Sequence, residues 1–401
     1  MRSALQSWLV LPVVLTVACG GGGEDAGGGG GTTAGAPIKI GAIFDLTGAT
    51  SDVGTAYSEG LRAYVDWLNS KGGLENRQID LVFQDYAYKV DLAEQLYSQF
   101  VQEGVVAFMG WGTGDTEALR GRVAEDKMPF ASASFSHVLG DPKEAPYNFL
   151  LGTSYSDQLV IVLDWIKENH PAGGAGPVVA LMHAPNPFGL SPYEQGGRDY
   201  AASKGIRLDK HEMPRGSTDY TAEITKIRES GAQYVVFQNT SGPASVAMKN
   251  AKDLGFQAAF FCLNWCTNNV MTRLAGPAAE GLIGSMLFAP PGAGVTGLDD
   301  AAAYVVAKGS TIEEKGPLFG QGWTMMRVMM EGVRRTVADG KELTGENIKA
   351  SLESIQNFDT GGVTPPITFS PDDHHGMRGM RMYKVEGGKW APMTDVREAN
   401  W

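Results

Sequence analysis

Two short stretches concentrate groups able to hold a small anion: Gly110-Trp-Gly-Thr-Gly-Asp-Thr116 and Ala131-Ser-Ala-Ser-Phe-Ser136. Hydroxyls of Thr113, Thr116, Ser132 and Ser134, with the backbone N–H groups of a helix start that Gly114 leaves uncovered, suit a carboxylate. Phe135 sets an apolar wall beside them. Farther along, Ala184-Pro-Asn-Pro-Phe-Gly189, Gln238-Asn-Thr-Ser-Gly242 and Asn264-Trp-Cys-Thr267 repeat this mixture of small polar residues and single aromatics. Other motifs point elsewhere only superficially. Asp372-Asp-His-His375 follows a proline and precedes a glycine, the composition of a turn that Asp favours through local hydrogen bonds, so no metal is expected. Gly110-x-Gly112-x-Gly114 lacks the third glycine of a dinucleotide fingerprint, and no cofactor is expected. A Gly-x-Ser-x-Gly elbow and zinc-ligand spacing are both absent from the sequence, which argues against an enzyme.

The elements that must position these loops alternate. Ile38–Phe44 reads as a buried strand, and 58–68 as a helix with Leu61, Tyr64, Val65 and Leu68 on one face. Strands at 78–84, 105–109 and 129–132 alternate with helices at 91–102 and 115–126. After Asn148 the pattern restarts: helices at 157–169, 192–203, 220–230 and 243–254 between strands at 178–182, 206–212, 234–237 and 258–263. Such alternation gives parallel sheets covered by helices, here an α/β fold of two doubly wound, Rossmann-like lobes. Ligands of such sheets bind beyond the carboxyl ends of the strands, where the loops above lie.

The amino-terminal part reads differently. Arg2 precedes an apolar run from Leu9 to Ala18, too short to span a bilayer but suited to a secretory signal over 1–18. Thr16-Val17-Ala18-Cys19 resembles the bacterial lipobox, which implies cleavage before Cys19 and lipidation of that residue. Residues 19–37 are a Gly-rich tether with a reach of roughly 25 Å. The composition, 43% hydrophobic and 19% charged, is that of a globular protein, and a net charge of −12 without clustered Lys or Arg argues against nucleic acid as a partner. Beyond Cys19 the only cysteines are Cys262 and Cys266, which in an oxidising compartment either pair across a short loop or stand apart as thiols.

The order of the pieces IKIGAIFDLTG, NSKGGLENRQIDLVFQD, GSTDYTAEITKIRESGAQYVVFQ, SGPASVAMKNAKDLG and AGPAAEGLIGSM, spread over Ile38 to Lys389, resembles the type I periplasmic binding proteins of branched-chain amino-acid ABC transporters. The resemblance implies two lobes joined by three crossovers near Tyr155, Ser285 and Ile367, closing on a small solute like a hinged trap. Lobe 1 is then 38–155 with 285–366, and lobe 2 is 156–284 with 367–401. A monomer is expected, with a membrane permease as partner and the lipid anchor as its membrane contact. The family's carboxylate loop falls on Thr113, Gly114, Asp115 and Thr116, and its second loop on Ser132, Ser134 and Phe135. Its second-lobe contacts fall on Phe188, Asn239, Thr240, Asn264 and Trp265, and a contact from the return to lobe 1 falls on Phe319 or Gln321. Phe188, Trp265 and Phe319 are equally suited to the core, and Thr113 to a helix cap.

One departure bears on the solute. Amino-acid binders set an acid in the second lobe against the ligand's ammonium, because a desolvated cation must be paired. Here those positions read Asn239 and Asn264. The neutral amides leave room for an aromatic or aliphatic acid or an amide as well as an amino acid, with Asp85 or Asp115 as alternative sources of the charge. A transport receptor fits the export signal, tether and two lobes together; a sensor passing its closed state to a membrane partner shares each of these features.

Overall fold

The computed structural model describes residues 35–172 and 174–401. The signal over 1–18, Cys19 and most of the tether lie outside the described residues. Ile38–Phe44 forms β1, buried along nearly its whole length because parallel neighbours flank it on both edges. β2 (Ile79–Asp85) pairs with it on one side and β3 (Ala107–Gly110) on the other, followed by β4 (Phe130–Ser132) and β5 (Asn148–Phe149), all parallel in the order β2-β1-β3-β4-β5. The helices α1 (Ser51–Ser70), α2 (Val90–Gln102) and α3 (Thr113–Glu125) connect successive strands.

From α4 (Tyr155–Asn169) the chain builds a second sheet from β6 (Val178–His183), β7 (Arg207–Glu212), β8 (Tyr234–Gln238), β9 (Ala259–Cys262) and β10 (Ile283–Met286). These five are parallel in the order β10-β9-β8-β6-β7, extended antiparallel by β11 (Gly379–Glu386) and β12 (Lys389–Pro392), with β13 (Arg397–Glu398) against β11. Between them lie α5 (Pro187–Pro192), α6 (Arg198–Ser203), α7 (Thr221–Glu229), α8 (Ser241–Asp253) and α9 (Asn269–Ala275). The helix expected over 192–203 is broken: Gly196 has φ of 114° and Gln195 is also non-helical, so α5 and α6 are separate pieces. Two α/β lobes with largely parallel sheets are therefore present.

The chain returns to the first lobe as α10 (Asp299–Ala307), α11 (Ile312–Ala338) and α12 (Gly345–Glu353), with α11 lying along α1. That approach needs glycine. A Cβ on Gly60 would stand 1.9 Å from the Phe319 carbonyl oxygen, and one on Gly322 2.0 Å from that of Tyr57. Because β10 keeps Ser285 and Met286 in the second sheet, this return follows Met286, and the boundary placed at 284/285 falls inside a strand. Bridges of Phe358 with Ile367 and of Leu150 with His375 keep both partners with the first lobe, so the last passage precedes β11 rather than Ile367. In the Asp372–His375 turn, His375 faces Asp373 Oδ1 at 2.6 Å and His374 Nδ1 faces the Asn148 carbonyl at 2.8 Å. Cys262 and Cys266 are joined as a disulfide. Among the described residues no helix is long and apolar enough to cross a membrane.

Candidate functional site

The start of α3 is organised by Asp115. A side chain at Gly112 would collide with Asp115 Oδ1 and the Tyr86 hydroxyl, at 2.3 and 2.6 Å, so its absence lets the acid fold back on the helix terminus. Asp115 accepts from the Gly112 N–H (3.2 Å) and from the Tyr86 hydroxyl (2.9 Å). Burial raises its pKa to about 7, against the lowering effect of those two donors. Thr116 donates back to the Gly112 carbonyl at 2.6 Å, and so supports the helix rather than facing the cleft.

Thr113 and Ser134 meet although β4 separates them in sequence. Ser134 Oγ donates to Thr113 Oγ1 at 2.8 Å, while the Ser134 N–H is held by Ser132 Oγ at 3.1 Å. Thr113 accepts this bond and its own hydroxyl stands beside that of Tyr155. The first-turn N–H groups of α3 lack intrahelical partners, as at any helix start. Gly114 presents this end to the other lobe: a Cβ there would lie 3.8 Å from Pro187 Cγ.

These groups border a small cavity between the lobes. Thr50, Val53, Tyr88, Trp111, Thr113 and Ala133 line it from one side, and Tyr155, Phe188, Thr240 and Trp265 from the other. Trp111 Nε1 donates to Thr50 Oγ1 (2.8 Å), and Trp265 Nε1 to the Tyr155 hydroxyl (2.9 Å), so both indole N–H groups are satisfied while the rings remain as wall. The two indoles meet edge-on at 5.0 Å, and Phe188 meets Tyr155 edge-on at 5.5 Å. A wider cleft of about 410 Å³, bordered by Asn239, Met213 and Arg215, adjoins the cavity through Thr50 and Phe188.

Of the residues singled out in the sequence, Thr113, Phe188, Thr240 and Trp265 line the cavity, and Gly114 and Ser134 stand beside them. Phe135 lies behind the wall, stacked on Trp265 at 6.0 Å. Ser132, Asp115 and Thr116 are buried supports. Asn239 faces the wider cleft and donates to Met213 sulfur at 3.4 Å, and Asn264 contacts Gln321 Oε1 at 3.4 Å. Phe319 is not brought to the cavity: it lies in the first-lobe core, 6.4 Å from Trp323. Sequence reasoning missed Tyr88, Trp111 and Tyr155. Trp111 was legible as the one large side chain in an otherwise small and polar loop, whereas Tyr88 follows a strand whose loop carries no such signal.

A cavity closed between two doubly wound lobes, at strand carboxyl ends, is the architecture of a two-lobed solute-binding protein. The family described as periplasmic binding protein matches residues 37–389, and the chain belongs to that family. It is 25% identical over 257 residues to a Leu/Ile/Val-binding protein homolog 2 of Brucella abortus, covering 63% of this chain and 67% of the relative. With a leucine-, isoleucine-, valine-, threonine- and alanine-binding protein of Pseudomonas aeruginosa it shares 21% identity, over 90% of this chain and 92% of that protein. Among solved structures, a branched chain amino acid ABC transporter protein from Thermus thermophilus with bound valine superposes with a TM-score of 0.85. It is 26% identical, covering 90% of this chain and 96% of that one.

Proposed function

We propose that this chain is an extracytoplasmic, lipid-anchored substrate-binding protein of an ABC importer, which closes on a small carboxylate-bearing solute and delivers it to a membrane permease. The observation that carries this reading is the Thr113–Ser134 hydroxyl pair at the free start of α3, facing an aromatic cavity between the lobes. The solute's carboxylate takes the Thr113 hydroxyl and the N–H groups of Thr113 and Gly114, while Trp265, Phe188 and Trp111 enclose its apolar part. Contacts to both lobes make occupancy favour the closed form, which is the shape a permease reads. Similarity to a Thermus thermophilus protein with bound valine, and to a leucine-, isoleucine-, valine-, threonine- and alanine-binding protein, supports an amino acid or a similar hydrophobic acid. Cys19, preceded by the apolar run, supports the lipid anchor.

Mass spectrometry of small molecules released from the purified native protein tests the solute, and a carboxylate-bearing compound of amino-acid size is expected. Recovery only of uncharged or cationic compounds counts against the reading. Metabolic labelling with a fatty acid tests the anchor, and label that persists in Cys19→Ser refutes it.

A further inference from the structure

Trp265 is a side chain through which the second lobe meets the first at the cavity. Its ring stands among three first-lobe rings, 5.0 Å from Trp111, 6.0 Å from Phe135 and 6.1 Å from Tyr57. Such a wall encloses a solute only while the indole keeps its place, because stacked and edge-on contacts depend on ring geometry. Yet Trp265 is carried by a single 3-10 turn of three residues, Asn264–Cys266, too short to hold itself.

What anchors the turn is the strand before it. Cys262 ends β9, which pairs with β8 through Phe237 and with β10 through Gly284, so its place in the sheet is fixed on both edges. Cys266 ends the turn and is joined back to Cys262 by the disulfide, Cα to Cα 5.4 Å, with Leu263, Asn264 and Trp265 between them. Both cysteines are fully buried, which makes the bridge a structural rather than a reactive one. Thr267 adds a weaker tie, its Oγ1 shared between the carbonyls of Cys262 (3.2 Å) and Leu263 (3.1 Å). The turn then presents the Asn264 N–H to Gln158 Oε1 and Trp265 Nε1 to the Tyr155 hydroxyl, each at 2.9 Å. A bridge over so few residues removes less entropy from the unfolded chain than a long-range one, so its effect on global stability is small. Its effect on the turn is direct.

We infer that the Cys262–Cys266 disulfide is a positioning element of the solute site: by tying the turn to β9 it sets the Trp265 ring against Trp111, and through that ring the affinity for solute. Neither cysteine lines the cavity, so both act through Trp265. The effect on affinity rests on the proposed function, in which Trp265 encloses the solute's apolar part; the placement of the ring does not.

Alkylation tests the bridge itself. Protein purified without reductant and unfolded in iodoacetamide should leave Cys262 and Cys266 unmodified, and modification of both overturns the inference. Cys262→Ala/Cys266→Ala then removes the bridge, in the wild type and in Trp265→Ala. Without solute, the Trp265 emission, taken as the difference between each protein and its Trp265→Ala counterpart, should be quenched by acrylamide at least twofold more strongly once the bridge is gone. Unchanged quenching overturns the positioning. In calorimetry with leucine and 4-methylpentanoate as probes, removing the bridge should weaken a probe that binds tenfold or more, but threefold or less where Trp265 is already alanine. Equal losses in both backgrounds mean that the bridge does not act through Trp265, and overturn the inference. Should the protein without its bridge fold poorly, amide exchange of the wild type across Leu263–Thr267 gives a second reading. Reduction by tris(2-carboxyethyl)phosphine in mild denaturant should speed it at least tenfold, and unchanged exchange overturns the positioning. Binding of neither probe to the wild type counts against the proposed solute and leaves the quenching difference to decide the positioning.

Discussion

Asp52 and Gly242 belong to different lobes, yet the Asp52 carboxylate accepts the Gly242 N–H at 2.7 Å. The N-cap of α8, Thr240, makes no side-chain capping bond, so this helix is capped by the opposite lobe. A cap of this kind exists only while the lobes are together, which makes it a contact that favours closure.

Loss of an N-cap typically costs about 1 kcal/mol, close to a fivefold change in an equilibrium. Asp52→Ala should therefore shift the ligand-free protein toward the open form, seen as a larger radius of gyration in small-angle scattering, whereas Asp52→Asn retains an acceptor and the wild-type curve. Superimposable curves for wild type and Asp52→Ala would remove the latch.

Thr113 and Ser134 share one hydrogen bond, in which Ser134 donates, and the Thr113 hydroxyl stands beside that of Tyr155 at the cavity wall. Thr113→Val and Ser134→Ala should each weaken binding of a carboxylate-bearing solute at least tenfold. Because the two hydroxyls act as one unit, the double variant should lose less than the product of the single losses. Calorimetric affinities for the three proteins decide this, and strictly multiplicative losses mean the hydroxyls act separately.

Asp115 gives a signed pH dependence. Its folded pKa, raised by burial to about 7 from 3.8, means that the folded protein holds a proton there that the unfolded chain releases. The associated stability is fully present below about pH 3.8 and is lost as pH rises through about 7. Melting temperature should thus fall between pH 5 and about pH 8 in the wild type by more than in Asp115→Asn, which has no proton to lose. Equal slopes in thermal melts would contradict the assignment.

Gly60→Ala and Gly322→Ala place a methyl group against backbone on α11 and α1, at 1.9 and 2.0 Å. Backbone cannot yield as a flexible side chain can, so each variant should lose about 1–3 kcal/mol or more in denaturant unfolding. Tyr57, on α1, packs 5.1 Å from Trp111 and 6.1 Å from Trp265, so tryptophan emission should also shift. Unchanged stability would mean that the two helices separate freely.

The two-lobed α/β architecture was legible because strand and helix alternation is a local signal, repeated along the chain. Element edges were less so. The helix expected from residue 58 begins at Ser51, which moves Asp52 from a loop to a helix terminus. The polar loops after β3 and β4 were also legible, since hydroxyls and glycines at a helix start have a chemistry independent of context. Phe319 was misplaced because an aromatic on an amphipathic helix carries no mark of whether it faces a cleft or a neighbouring helix; here it packs with Trp323.

The amino-acid order alone determined where hydroxyls and glycines gather at a helix start and that their strands lie in parallel sheets, because both follow from neighbours within a few positions. Only the tertiary structure decided which wall faces them. Trp111 and Trp265 meet at 5.0 Å, and Asp52 meets Gly242 across 190 positions of sequence. The crossovers set both encounters, and no periodicity encodes where two separately formed lobes touch.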